Sequence, residues 1–312
     1  MPSSTIADST SRFLVRVPLR SVHRRYRGLL DRGAFDHASS SPAGLHRRPW
    51  LARLRAALAG DEFVLHYQPI VSLTDGRISH HEALLRLADE SDGSLVAPAS
   101  FLPAAERYGL IREIDRLVVD RVAAVLGQSS QVPPLRIAIN LSGLSVTDGG
   151  MLAHIERQLA AHGIDPSRLV IEVTETASIS DMGLAREFCE GVQALGCAIA
   201  LDDFGAGFGS FQYLKQLPFQ YLKIDGDFIR GLPDSPNDQL VVKALVGVVR
   251  GMGASTIAEF VGDEETERLL RSFGVDYAQG FQVGYPGPLL GLASQGGRRT
   301  AAPVLEPGVA GP

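Results

Sequence analysis

Eight short apolar runs recur along the chain, and after the second most are separated by a stretch with helical spacing. The runs are FVLHYQPIV (63–71), ISHHEALLRL (78–87), LRIAINL (135–141), LVIEV (169–173), CAIALD (197–202), YLKI (221–224), ASTIAEFV (254–261) and VDYAQGF (275–281). Buried apolar strands alternating with helices argue for a parallel sheet. Eight of them argue that the sheet closes into a barrel. The alternation has one break. Only SLTDGR (72–77) joins the first run to the second, whereas a parallel pair needs a crossover of about a dozen residues. Asp75-Gly76 is instead a strong hairpin signal. The fold expected is α/β, a modified (β/α)8 TIM-like barrel with an antiparallel first strand.

The intervening helices carry start and stop signals. EIDRLVVDRVAAVL (113–126) has helical apolar spacing. MLAHIERQLAAHG and GLAREFCEGVQALG end at Gly163 and Gly196, and DEETERLLRSFG opens with acids and stops at Gly274. NDQLVVKALVGVVRGMG follows Pro236, with Asn237 expected as its cap. The ends differ from this regular middle. Residues 1–50 contain the arginine-rich SRFLVRVPLRSVHRRYRGLL and the breaker-rich HASSSPAG. They read as a poorly ordered basic leader and linker, with a short basic helix docking on a protein partner as the other reading. Residues 51–289 would form the barrel, and the Gly/Pro/Ala-rich residues 290–312 a disordered tail.

A net charge of −5 gives no general argument for binding polymeric nucleic acid or a membrane surface. No apolar run approaches the roughly 18–20 residues of a membrane span, and the N-terminus lacks a signal-peptide core. Cys189 and Cys197, the two cysteines, read as buried free thiols in a reducing compartment, hence a cytoplasmic protein.

In barrels of this kind the chemistry sits at the C-terminal ends of the strands. There the sequence places Glu82 and Arg86 on one face with Leu84 between, then Asn140, Glu172 with Glu175 just beyond, Asp202 and Asp203, Lys223 and Asp225, Glu259, and Gln279. Several carboxylates and an amide oxygen, without a Cys or His cluster, suit Mg²⁺ or Mn²⁺ better than Zn²⁺. Two such ions form the usual clamp for displacement at phosphorus. Arg86 offers a fork of donors to a phosphate, and Lys223 can hold a water or stabilise developing charge. His80, on the Glu82 face, and His81 read as packed or solvated imidazoles rather than ligands. In a regular strand Asp202 and Asp203 would face opposite ways, so the strand is expected to end there, with Gly205, Gly207 and Gly209 allowing the departure.

These residues spell a known pattern. EALLR (82–86), preceded by YQPIV and followed in order by INLS, EVTE, DDFGAGFGS, LKID, AEFV and QGF, resembles the EAL domain, a family of bacterial cyclic di-GMP phosphodiesterases. The resemblance covers about residues 52–288. It implies a barrel with a reversed first strand and hydrolysis of cyclic di-GMP to linear pGpG, with two Mg²⁺ or Mn²⁺ ions per site and Ca²⁺ inhibitory. It implies that Glu82, Asn140, Glu172, Asp202, Asp203 and Glu259 hold metal, and that Lys223 positions the attacking water with Gln279 assisting. Arg86 would contact a phosphate, with Gln68, Leu84 and Asp225 lining the substrate; Asp225 also reads as a structural residue or a support for Lys223. Glu175 would brace the loop that begins at Asp203, and a homodimer is implied. The alternative is a catalytically weak EAL domain acting as a cyclic di-GMP receptor. Three positions depart from the pattern: Gly262 replaces a frequent Glu, Gln220 a usual Asp, and Tyr285 a common Lys or Arg. The first bears on rate; the others bear on local packing or substrate-edge contacts.

Overall fold

The computed structural model describes residues 50–89, 93–129, 133–174, 181–205 and 210–289, without the side chains of 210–212. The basic leader and the C-terminal tail fall outside these residues, apart from Trp50. The ring comprises β1 (Phe63–Ser72), β2 (Ile78–Ala88), β3 (Ile137–Leu141), β4 (Leu169–Thr174), β5 (Ala198–Phe204), β6 (Tyr221–Ile224), β7 (Ser255–Ala258) and β8 (Tyr277–Ala278). A further two-residue strand, Leu95–Val96, takes no part in it. From β2 to β8 every neighbouring pair is parallel. β1 is antiparallel to both β2 and β8 and closes the barrel between them.

The reversal of β1 follows from the hairpin. Gly76 takes φ 73°, its N–H donates to Ser72 O at 2.9 Å, and Asp75 Oδ1 accepts from Arg77 N at 3.1 Å. That turn leaves no chain length for a crossover. The last two strands are shorter than their apolar runs: β7 stops at Ala258 and β8 at Ala278.

The helices are α1 (Trp50–Gly60), α2 (Leu102–Arg107), α3 (Ile111–Gln128), α4 (Gly143–Val146), α5 (Met151–His162), α6 (Met182–Leu195), α7 (Ser210–Gln216), α8 (Pro236–Gly251) and α9 (Glu264–Phe273). Gly163, Gly196 and Gly274 close α5, α6 and α9 in the left-handed region. Asp263 caps α9 by accepting from Thr266 N at 2.8 Å. The start of α8 differs from expectation: Ser235, not Asn237, is the cap, its Oγ accepting from Asp238 N at 3.3 Å. Pro236 therefore occupies the first helical position, where its fixed φ fits and its missing N–H costs nothing.

Two layers of core hold the ring. Outward-facing residues such as Ile137, Ile139, Ile171 and Leu201 pack under the helices, with Val119 and Val122 of α3 against them. Inside, Ile70, Ala138, Val170, Ala200, Tyr221 and Ile257 fill the lower barrel. α1 buries Leu54 and Ala57 against Phe63, Phe101 and Ile114. Ala88, Asp89 and residues 93–95 belong to a separate small compact unit. In it Asp89 N donates to Ser94 O at 2.7 Å and Gly93 N to Asp89 O at 3.0 Å. Cys189 and Cys197 are buried free thiols. Among the described residues no helix is long and apolar enough to cross a membrane.

Candidate active site

Strand pairing sets the site. Gln68 lies opposite Glu82, and Asn140 opposite Glu172. Alternation turns these side chains, with those of Asp202 and Lys223, into the barrel above its apolar plug. Lys223 is 1% exposed and stands at the centre. Its Nζ lies 2.8 Å from Asp202 Oδ1, 2.8 Å from Glu259 Oε1, 2.9 Å from Glu172 Oε2 and 3.4 Å from Glu82 Oε2. Asn140 Nδ2 donates to Glu82 Oε1 and Gln279 Nε2 to Glu82 Oε2, each at 2.6 Å. Gln279 Nε2 also reaches Gln68 Oε1 at 3.2 Å, and Gln68 Nε2 donates to Gly284 O at 3.1 Å.

The adjacent aspartates are arranged differently from the sequence-based expectation. β5 does not end at Asp202 but continues to Phe204. Its register against β6 slips between Leu201 and Phe204, and Asp203 itself takes φ 55°. Aspartate tolerates the left-handed region better than most residues. The irregularity at Asp203 goes with both acids on one side: ligand oxygens of Asp202, Asp203 and Glu259 lie within 4.8 Å of one another. Gly205 follows at φ 106°, where an added Cβ would meet the Phe228 ring at 2.2 Å. Gly207 and Gly209 lie outside the described residues, as does Glu175. A second glycine is needed at 280, where an added Cβ would come within 2.3 Å of the Val261 backbone. This close approach lets Val261 N donate to Gln279 O at 3.0 Å and ties the Glu259 and Gln279 segments together.

Burial and mutual repulsion set the protonation of the cluster. Burial pushes Glu172 well above the carboxylate range; the charges of Glu82 and Asp202 add to it, and Lys223 opposes it. Burial, then Glu82, raises Asp202 against Lys223. Burial, then Asp202, pushes Asp203 up to about 6, and burial, joined by the charges of Asp202 and Glu82, pushes Glu259 up to about 8. For Glu82, burial is outweighed by Lys223 and by the hydrogen bonds from Gln279 and Asn140, so its carboxyl ends below the ordinary value. Burial opposes the charge on Lys223, but the surrounding carboxylates win and raise it well above an ordinary lysine.

The donor set fits a hard divalent cation. Asn140 Oδ1, Glu172 Oε1 and Glu259 Oε2 are buried without a hydrogen-bond partner, a costly state for oxygens with no further contact. Neither cysteine nor histidine stands among them. His80 instead packs lower in the barrel, its ring 5.4 Å from Tyr221 and 6.3 Å from Tyr277. Burial holds His80 down to about 3 and His81 down to about 4.

Other sequence-predicted residues sit around this centre. Arg86 is half-buried on the Glu82 face with Leu84 between, and its Nη1 donates to Leu85 O at 2.8 Å. Asp225 is occupied with the backbone, its Oδ1 accepting from Asp227 N at 2.7 Å. That is a structural bond, and the Asp225 charge is also among those that raise Asp203. Two further residues were missed. Asp115, buried on α3, accepts from Ser142 N at 3.1 Å and Ser142 Oγ at 2.6 Å, fixing the chain two residues beyond Asn140. An acid within the apolar stripe of α3 was the available signal. His66 lies opposite Leu84, on the inward face with Gln68. Counting alternate residues back from Gln68 would have found it.

The family model for the EAL domain matches residues 51–286. The chain belongs to the EAL domain family. Among curated relatives, this EAL domain is 39% identical over 248 residues to the cyclic di-GMP phosphodiesterase PdeB of Shewanella oneidensis, covering 79% of this chain and 29% of the relative. It is 36% identical over 239 residues to the cyclic di-GMP phosphodiesterase PdeF of Escherichia coli, covering 76% and 32%. The chain thus spans about a third of the length of these relatives. Among solved structures, the PaMucR phosphodiesterase in complex with c-di-GMP matches with TM-score 0.71 and 36% identity, over 78% of this chain and 99% of that one. The EAL domain of Xanthomonas citri FimX, in complex with c-diGMP, matches with TM-score 0.70 and 33% identity, over 77% and 94%.

The three departures of this EAL domain occupy different places. Gly262 is exposed, and an added Cβ would have only Phe260 O for a neighbour, at 3.9 Å. Gln220 stands at the entry to β6, at the opposite end from the acids, where its Oε1 accepts from Ile199 N at 2.8 Å. Tyr285 is exposed and stacks on Phe281, with centroids 4.7 Å apart and planes 17° apart.

Proposed function

We propose that this EAL domain hydrolyses cyclic di-GMP to linear pGpG with two divalent cations, Mg²⁺ or Mn²⁺. The observation that carries the reading is the Lys223-centred cluster with its unpartnered oxygens, in a chain of this family. Fully ionised, the five carboxylates against one ammonium would leave four negative charges, which two divalent ions would balance and so draw the raised carboxyls into their charged form. Glu82, Asn140, Glu172, Asp202, Asp203 and Glu259 would hold them. When bound, such ions supply charge neutralisation at phosphorus and activation of a water.

The chain's own residues do the rest. Lys223 is held protonated by its neighbours, so it serves as a donor that orients the attacking water, not as a base. Gln279 keeps Glu82 in place. Arg86 offers its remaining donors to a non-bridging phosphate oxygen. Water oxygen bonds to phosphorus as it gives up one proton, the P–O3′ bond opposite it breaks, and the leaving O3′ takes up one proton, giving a 5′-phosphate and a free 3′-hydroxyl. Residues 51–289 act as the catalytic unit, in the cytoplasm and as a homodimer, and the basic leader is the segment that reaches a protein partner.

Substrate class is tested by assaying cyclic di-GMP against a glycerophosphodiester under the same Mg²⁺. Preference for cyclic di-GMP is expected, and the reverse would reassign the substrate. The receptor reading rests on Gly262. It gains support only if cyclic di-GMP binds tightly in Ca²⁺ while turnover in Mg²⁺ and Mn²⁺ is negligible.

A further inference from the structure

Phe281 and Tyr285 present a half-exposed aromatic surface. The rings are stacked, yet they remain 42% and 46% exposed. Their place is set by the turn after β8, in which Val283 N and Gly284 N both donate to Gly280 O, at 3.1 and 3.0 Å. That turn is tied to the site on both sides. It starts one residue after Gln279, whose amide touches Glu82. It ends at Gly284, whose carbonyl accepts from Gln68, itself bonded to Gln279. The stacked pair therefore stands on the rim at the C-terminal end of β8, next to the acids. The neighbouring exposed aromatic, Phe260, already has the Arg230 guanidinium 4.1 Å from its ring centroid.

The geometry points to the Phe281–Tyr285 pair as a stacking platform for one purine base of the substrate, with Tyr285 as a specificity-determining residue. The inference rests on the proposed cyclic di-GMP reading. A diester seated by its phosphate at the acids must send its bases outward to the rim, and a base can stack on an aromatic face there without any hydrogen-bond readout. Tyr285 stands where Lys or Arg is common in the pattern, so this chain offers a π-face in place of a charge.

The test is binding and turnover of cyclic di-GMP by full-length wild type, Tyr285→Ala, Tyr285→Phe and Tyr285→Leu. Binding is measured by calorimetry in Ca²⁺, and kcat and KM are measured in Mg²⁺. Tyr285→Ala should weaken binding roughly five- to a hundredfold, the usual loss for one stacked base, and raise KM more than it lowers kcat. Tyr285→Phe should restore binding, Tyr285→Leu should not, and melting temperatures should stay level. Unchanged Kd and KM in Tyr285→Ala, or full rescue by Leu, would overturn the platform and leave the hydrolase reading standing. Wild type that binds without turnover would remove the hydrolase reading, while the Kd series still decides the platform. Wild type that neither binds nor turns over cyclic di-GMP would remove both.

Discussion

Lys223 is held by four carboxylates in a space almost closed to water, so its loss should separate chemistry from binding. Lys223→Ala should lower turnover by about 10²–10³-fold, the usual loss for one preorganised donor. Binding of cyclic di-GMP in Ca²⁺ should stay within a few-fold of wild type; a near-normal rate would remove its assigned role. The raised carboxyls also give a pH signature. Glu259 at about 8 and Asp203 at about 6 hold protons in the metal-free fold that the unfolded chain has already released. Between about pH 4.5 and 8 the folded state therefore binds more protons, and this contribution to stability falls as pH rises. In EDTA, the melting-temperature advantage of Glu259→Gln over wild type should grow from pH 5 to pH 8, and saturating Mg²⁺ should remove it. A difference independent of pH would contradict this. Most of these residues were legible in the sequence because strand alternation and strand ends fix direction. The open oxygens of Asn140 and Glu172 were not, because hydrogen-bond partners come from other strands.

At the scale of elements, the hairpin at Asp75-Gly76 was readable from six residues, since loop length excludes a parallel pairing. The irregularity at Asp203 was not, because a left-handed non-glycine within a strand carries no sequence mark of its own. It leads to a stability comparison. Asp203→Asn and Asp203→Val remove the same charge, but valine should be less stable by about 1–2 kcal/mol in chemical denaturation, the cost of a left-handed β-carbon. Equal stabilities would mean that the backbone at 203 is not held left-handed. Gly280→Ala tests the contact between the β7 and β8 ends. An added methyl collides with the Val261 backbone, so Gln279 must move, and both melting temperature and turnover should fall. The early ends of β7 and β8 were also hidden, because AEFV and AQGF are apolar enough to continue as strands until the close packing at Gly280 turns them.

For the whole molecule, the barrel directs its acids to one mouth and its apolar plug to the other end. The sequence pattern places the acids at the strand ends, but it does not mark the apolar plug below them. It could not give the charge balance, which depends on how many acids converge on one lysine. If that balance is completed by divalent ions, the purified protein should be inert towards cyclic di-GMP in EDTA and active once Mg²⁺ or Mn²⁺ is added. Ca²⁺ should fill the site without supporting reaction, because its looser coordination misplaces the water. The most direct measurement is chromatographic resolution of the products from cyclic di-GMP incubated with the folded protein in each metal. Linear pGpG in Mg²⁺ or Mn²⁺, absent in Ca²⁺ and absent from Asp202→Ala, is the result predicted. No pGpG from the folded wild type in either Mg²⁺ or Mn²⁺ would contradict it.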